Sequence, residues 1–114
     1  MANARSGSPD RVAGAVLIYL MIGLIFVALY ALAGLSLPNA FTGLASGDRP
    51  ALLTDLIYFS FVTLTSVGYG DILPVHPVVR GIANLEATTG QLFPATLLAR
   101  LVSLEIVHSG RDKG

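Results

Sequence analysis

Residues 65–71 read Thr-Ser-Val-Gly-Tyr-Gly-Asp and lie between two long apolar segments of a 114-residue chain. The alternating glycines allow backbone dihedral angles that other residues rarely adopt. A stretched backbone of this kind can direct successive carbonyl oxygens toward one axis, and rings of such oxygens can replace the water around a dehydrated cation. The stretch therefore predicts irregular backbone with ion-binding chemistry.

The composition is typical of a membrane protein. Hydrophobic residues make up 54% of the chain and charged residues only 12%, whereas a soluble domain carries about 25% charged residues. Residues 12–37 contain no charged side chain, and this run exceeds the roughly 20 residues that a membrane-spanning helix needs. The net charge is zero, so no basic surface indicates nucleic-acid binding, and the absence of cysteine excludes disulfide bonds.

The stretch at 65–71 resembles the selectivity filter of tetrameric potassium channels, in particular the bacterial type with two transmembrane helices. The usual form of that filter is Thr-Val-Gly-Tyr-Gly after a short pore helix. The match covers residues 67–70 with Asp71 following, and Ser66 stands where the family usually has a threonine. The resemblance implies an all-α membrane protein in which four identical subunits surround one pore. It also implies a potassium-selective channel that conducts K⁺ passively and needs no cofactor.

The chain divides into segments that match this layout. We expect a cytoplasmic N-terminal segment at 1–11, an outer helix at 12–37, a turn-rich turret at 38–49, a pore helix at 50–64, the filter at 65–71, an inner helix at 78–107 and a cytoplasmic tail at 108–114. The pore helix is too short to cross a bilayer, so we expect it to be re-entrant. The ion channel pore domain then covers residues 12–107.

The resemblance assigns ion binding to the filter backbone. It implies that K⁺ is bound within the filter residues Thr65, Ser66, Val67, Gly68, Tyr69 and Gly70, with ion sites at the four residues 66–69. The Ser66 hydroxyl would line the innermost site. Serine keeps the threonine oxygen and loses a methyl group, so we expect the site to survive with looser packing.

Asp71 follows the filter, and in some bacterial relatives a pore-helix glutamate pairs with this aspartate. Here Val62 occupies the glutamate position, so the carboxyl pair is absent. We predict instead that the Tyr58 hydroxyl reaches Asp71 behind the filter and supports it. The alternative is that both groups are merely packed or solvated.

The inner helix carries the candidate gate. Gly90 lies 20 residues after Gly70, which matches the hinge glycine of the family, and Pro94 removes a backbone hydrogen bond. A bend at Gly90 and close helix packing at Gly90 are both compatible with the sequence. At about 100° per residue, Gln91 and Pro94 share a face with Leu98 and Val102, which could form an apolar constriction.

Polar residues elsewhere in the inner helix favour a water-lined pore over a helix that faces only lipid. Glu86 stands out among them. Counting equally from the outer ends of the two antiparallel helices brings Glu86 level with Tyr30, so a hydrogen bond between them is possible.

Arginine and lysine residues predict the orientation. Arg5 and Arg11 flank the outer helix, and Arg111 and Lys113 follow the inner helix, so both termini are expected in the cytoplasm of a multi-pass protein of the cell membrane. A cleaved signal peptide is the alternative for the N-terminus, but the apolar run exceeds the roughly 7–15 residues of a signal core.

Two other functions are compatible with parts of the sequence. A weakly selective cation channel would share the architecture, although Tyr69 argues against it. A small two-helix membrane adaptor would have no need for Gly68 or Gly70. We find no motif for an enzyme. The gating stimulus, the degree of selectivity and whether this is a pore from a longer protein stay open.

Overall fold

The computed structural model describes residues 9–44 and 49–113, with side chains up to residue 107. Its elements are helix α1 (Pro9–Ser36), strand β1 (Phe41–Thr42), helix α2 (Arg49–Leu64), strand β2 (Leu73–Pro74) and helix α3 (Pro77–Lys113). The described parts do not include Arg5, residues 45–48 of the predicted turret, or the side chains of Arg111 and Lys113.

The helices begin and end close to the predicted bounds, with one clear difference. Pro9 and Pro77 open α1 and α3, where a missing N–H has no cost and the fixed φ suits the first turn. The sequence predicts that the inner helix ends at 107 and that a separate tail follows. The helix instead continues through Lys113, and no proline after Pro94 interrupts its hydrogen bonds.

Two of the helices are long and apolar enough to cross a membrane, namely α1 and α3 as far as Val107. Helix α2 has 16 residues, fewer than the roughly 20 that a bilayer requires. The predicted class, an all-α membrane protein with two transmembrane helices, is therefore confirmed.

The hydrophobic core lies where all three helices meet. Phe26, Val27 and Tyr30 of α1 pack with Phe59 of α2 and Val79 of α3. The rings of Tyr30 and Phe59 meet edge to face with centroids 5.1 Å apart, a favourable geometry for aromatic pairs. This contact holds α2 between the two spanning helices and so sets where the segment after it begins.

A short antiparallel ladder, which sequence reasoning did not predict, joins the segment before α2 to the segment after the filter. Phe41 pairs with Pro74 and Thr42 with Leu73. The carbonyl of Ala40 extends the ladder by accepting a hydrogen bond from the Val75 N–H at 2.8 Å. The exit of the filter is thus tied back to the chain that leaves α1.

Burial changes abruptly along α3. Val79, Ala83, Glu86 and Gly90 form a buried stripe at helical spacing. Every residue from 91 to 107, which we call the lower half of α3, is exposed or only partly buried in the single chain. The molecule is 63 Å long, and this segment corresponds to about 25 Å of helix.

Candidate ion-conducting site

The end of α2 turns directly into the filter segment and holds its N–H groups. The N–H groups of Val67 and Gly68 both donate to the carbonyl of Val62, at 2.9 and 3.2 Å. The N–H of Ser66 donates to Thr63 at 3.0 Å. The donors of these three residues therefore face α2.

The backbone at 65–70 is not a β-strand. Residues 66, 68 and 70 have positive φ angles of 64°, 57° and 83°, and the residues between them do not. The two glycines adopt this conformation without strain, whereas a β-branched side chain there would be a conformational outlier. Serine rather than threonine at position 66 suits this backbone.

The carbonyl oxygens of residues 65–70 are available to a ligand. Within the described chain, none of them accepts a hydrogen bond, and all six residues are exposed. Backbone carbonyls are the oxygen ligands that potassium channels use in place of water. No group of three or more His, Cys, Asp or Glu side chains in the described residues could hold a metal ion.

Tyr58 and Asp71 are brought together as predicted. The Tyr58 hydroxyl donates to Asp71 Oδ2 at 2.8 Å, and Asp71 Oδ1 accepts from the N–H of Ile72 at 3.1 Å. Tyr58 lies outside both spanning helices, and its hydrogen bond to Asp71 raises the pKa of its hydroxyl, which keeps it a donor. The ring of Tyr58 also lies parallel to that of Tyr69, with centroids 6.2 Å apart.

Gln91 contacts the filter itself, which the sequence did not indicate. Its Nε2 donates to Ser66 Oγ at 2.8 Å. Gln91 follows Gly90, and Ser66 follows the end of α2, so the close approach of these two helices brings the side chains together. The only feature of the sequence that could have indicated this contact was a glutamine one residue after the predicted hinge glycine.

Gly90 packs against the end of α2. A Cβ at this position would overlap the carbonyl oxygen and carbon of Leu64. The same carbonyl accepts a hydrogen bond from the Tyr19 hydroxyl of α1 at 3.2 Å. Close packing, one of the two roles that the sequence left open, is therefore present, and the bend at Gly90 stays a prediction.

The other gate candidates show a different environment. Pro94 lies inside α3, and the helix continues on both sides of it. Leu98 is 63% exposed and Val102 is 50% exposed. The constriction needs several chains around an axis, so it stays a prediction.

Glu86 and Tyr30 are hydrogen-bonded, as the counting argument suggested. The Tyr30 hydroxyl lies 2.7 Å from Glu86 Oε1. Ser60 of α2, which sequence reasoning missed, lies 2.6 Å from the other carboxyl oxygen. The position of the Ser60 side chain depends on the angle at which α2 crosses the other two helices, and the periodicity of the sequence does not predict that crossing angle.

Comparison with known proteins gives a consistent picture. The profile of a family described as "Ion channel" matches residues 14–105. Protein LctB of Bacillus caldotenax is 50% identical over 58 residues, which cover 51% of this chain and 42% of that protein. Two-pore potassium channel 4 of Arabidopsis thaliana is 34% identical over 84 residues, which cover 74% of this chain and 30% of that protein.

The inward rectifier potassium channel Kirbac3.1 of Paramagnetospirillum magnetotacticum is 36% identical over 75 residues, which cover 66% of this chain and 23% of that protein. The chain thus spans less than half the length of each of these relatives. No solved structure matches the chain.

Proposed function

Because the chain belongs to the ion channel family, we propose that it is the pore subunit of a potassium-selective channel that conducts K⁺ passively. The observation that carries the proposal is the row of carbonyl oxygens at residues 65–70, which accept no hydrogen bond within the described chain. Similarity to two relatives named as potassium channels supports K⁺ as the permeant ion.

Four identical chains form the pore in this proposal. One chain contributes a single filter strand, and a ring of carbonyl oxygens around an ion needs several. Val67 is 52% and Tyr69 is 70% exposed in the single chain, so other copies have apolar filter surface to cover. Unpaired backbone at membrane depth is tolerated only where protein buries it or water reaches it.

The chain is a membrane protein, and we propose that it lies in the cell membrane with both termini in the cytoplasm. Arg11 near the start of α1 supports this orientation under the positive-inside rule, together with Arg5, Arg111 and Lys113 of the sequence. The loop that carries the filter then faces outward.

Reversal potentials test the selectivity. The purified chain is reconstituted in lipid vesicles, and current is recorded with K⁺ on one side and Na⁺ on the other. We expect a reversal potential near the value for a membrane permeable only to K⁺. Gly68→Ala should abolish this K⁺-selective current, because alanine is strained at a φ of 57°. Gly81→Ala is the matched control, since a Cβ there meets nothing within 4 Å in the single chain.

Equal permeability to K⁺ and Na⁺ would indicate the weakly selective channel instead. Absence of any current from a correctly assembled protein over a range of pH, calcium concentration and voltage would refute conduction.

Thermal melting tests assembly and ion binding independently of current. A ligand that binds only the assembled state stabilises that state by mass action. The detergent-solubilised protein should therefore melt at a higher temperature in K⁺ than in Na⁺ at equal ionic strength, and light scattering should give a tetramer. A monomer or dimer with no ion dependence would favour the two-helix adaptor.

A further inference from the structure

A buried carboxyl joins all three helices behind the filter. Glu86 of α3, Tyr30 of α1 and Ser60 of α2 are each 0% exposed. The Tyr30 hydroxyl donates to Glu86 Oε1, and Ser60 Oγ lies 2.6 Å from Oε2. Ser60 Oγ also lies 2.8 Å from the carbonyl oxygen of Gly23 in α1.

The number of protons in this network indicates the state of the carboxyl. Ser60 has one hydroxyl proton, but its oxygen makes two short contacts to oxygens. The Gly23 carbonyl can only accept, so Ser60 must donate to it if that contact is a hydrogen bond. The contact to Glu86 Oε2 then needs a proton from Glu86 itself.

The surroundings of Glu86 agree with a neutral group. From α1 it faces Tyr30 and from α2 Ser60, and no cationic side chain among the described residues forms an ion pair with it. Arg80 and Arg100 of its own helix are exposed and lie about 9 and 21 Å away along the axis. Burial of an unpaired charge is costly, whereas a hydrogen-bonded neutral acid avoids that cost.

We propose that Glu86 is held as a neutral carboxylic acid and is a positioning residue for the filter. Its proton goes to Ser60 Oγ, Ser60 donates to the Gly23 carbonyl, and Tyr30 donates to the other oxygen of Glu86. Ser60 lies on α2, six residues before Ser66 of the filter. This chain of hydrogen bonds therefore sets the position and rotation of α2, and with them the place where the filter begins. The positioning role rests on the proposed channel function, and the protonation state does not.

Infrared spectroscopy of the assembled protein tests the proton directly. The chain contains only two glutamates, Glu86 and Glu105, so selective ¹³C labelling of glutamate carboxyls gives two resolvable groups. Near neutral pH we expect one protonated-carboxyl band, which disappears in Glu86→Gln and shifts in Ser60→Ala. Glu105→Gln is the matched control and should leave the protonated-carboxyl band in place. Loss of a carboxylate band in Glu86→Gln would overturn the proposal.

Current recordings test the positioning role. Glutamine offers a carbonyl acceptor and an N–H donor in place of the carbonyl acceptor and O–H donor of a neutral acid, whereas leucine fills similar volume without hydrogen bonds. During sustained opening, we expect current to decay about tenfold faster in Glu86→Leu and within about twofold of wild type in Glu86→Gln.

Equal behaviour of leucine and glutamine in a conducting channel would overturn the positioning role. If wild-type protein conducted no K⁺, the channel function and the positioning role would both fall. The infrared bands would still decide the protonation state of Glu86.

Discussion

The outer part of the molecule, where all three helices pack together as far along α3 as Gly90, and the lower half of α3 differ in what holds them in place. In the outer part, three helices share an aromatic core, and the buried polar side chains all have hydrogen-bond partners in the described residues. In the lower half of α3, no residue from 91 to 107 is buried by the chain itself. Packing within the chain therefore fixes the position of residues 65–70, whereas the described chain leaves the lower half of α3 largely exposed.

The largest expected effect comes from disturbing the outer part at Gly90. A Cβ in Gly90→Ala would overlap the Leu64 backbone, which cannot rotate away as a side chain can. Overpacking costs about 1–3 kcal/mol, and each subunit of the proposed tetramer would bear it. We expect a large decrease in tetramer melting temperature, with Gly81→Ala as the unchanged control on the same helix. An unchanged melting temperature in Gly90→Ala would contradict the packing role of Gly90, and only its predicted role as a hinge of α3 would remain.

The next largest effect concerns the lower half of α3. If Leu98 and Val102 form a dewetted constriction, asparagine at either position should wet it and raise open probability in single-channel records. If the free energy of the open state relative to the closed state falls by about 1.4 kcal/mol, the open probability rises about tenfold where the closed state dominates. Leu98→Met keeps the apolar character and is the control. Unchanged open probability in both asparagine variants would place the gate elsewhere, with the filter as the next candidate.

A smaller effect is expected where the filter meets its support. Tyr58→Phe removes the hydroxyl that donates to Asp71 and leaves the ring in place. We expect current to decay faster during sustained opening while the initial K⁺ selectivity is preserved. A double-mutant cycle with Asp71→Asn isolates the contact, because the second change should add little once the hydrogen bond is lost. Additive effects would mean that the two residues act independently.

The smallest effect is expected at Gln91. Its amide occupies one lone pair of Ser66 Oγ, so Gln91→Leu frees that oxygen for the innermost ion. K⁺ raises the melting temperature, and we expect half of that increase to occur at a slightly lower K⁺ concentration in this variant. In Na⁺, the melting temperature should not fall. A loss of stability in Na⁺ comparable to that of Gly90→Ala would show that Gln91 holds the helices together instead.

Local patterns were sufficient for the features that depend on neighbours in sequence. The charge-free run at 12–37 predicts α1, and Pro50 together with the glycines after it brackets the short helix before the filter. The contact of Tyr30 with Glu86 is found as expected, because it follows from counting along two antiparallel helices. The contact of Tyr58 with Asp71 is also found as expected, and it follows from the family resemblance, in which another pore-helix residue pairs with this aspartate. These inferences needed no crossing angle.

The features that were missed depend on geometry between elements. Strands β1 and β2 have two residues each, too few to show an alternating pattern, and the fold of the intervening chain brings them together. Ser60 looked like an ordinary small residue of α2, although it bridges two other helices. Gln91 reaches Ser66 only because Gly90 lets α3 approach the end of α2 so closely.

The single filter strand in each chain has a consequence for inheritance. In a tetramer assembled at random from equal pools of normal and Gly68→Ala subunits, only about one complex in sixteen contains four normal strands. In the proposed tetramer, one faulty strand would distort a quarter of every ring of oxygens, so a cell with one normal and one altered gene copy would lose most of its current rather than half. The defect would then behave as dominant.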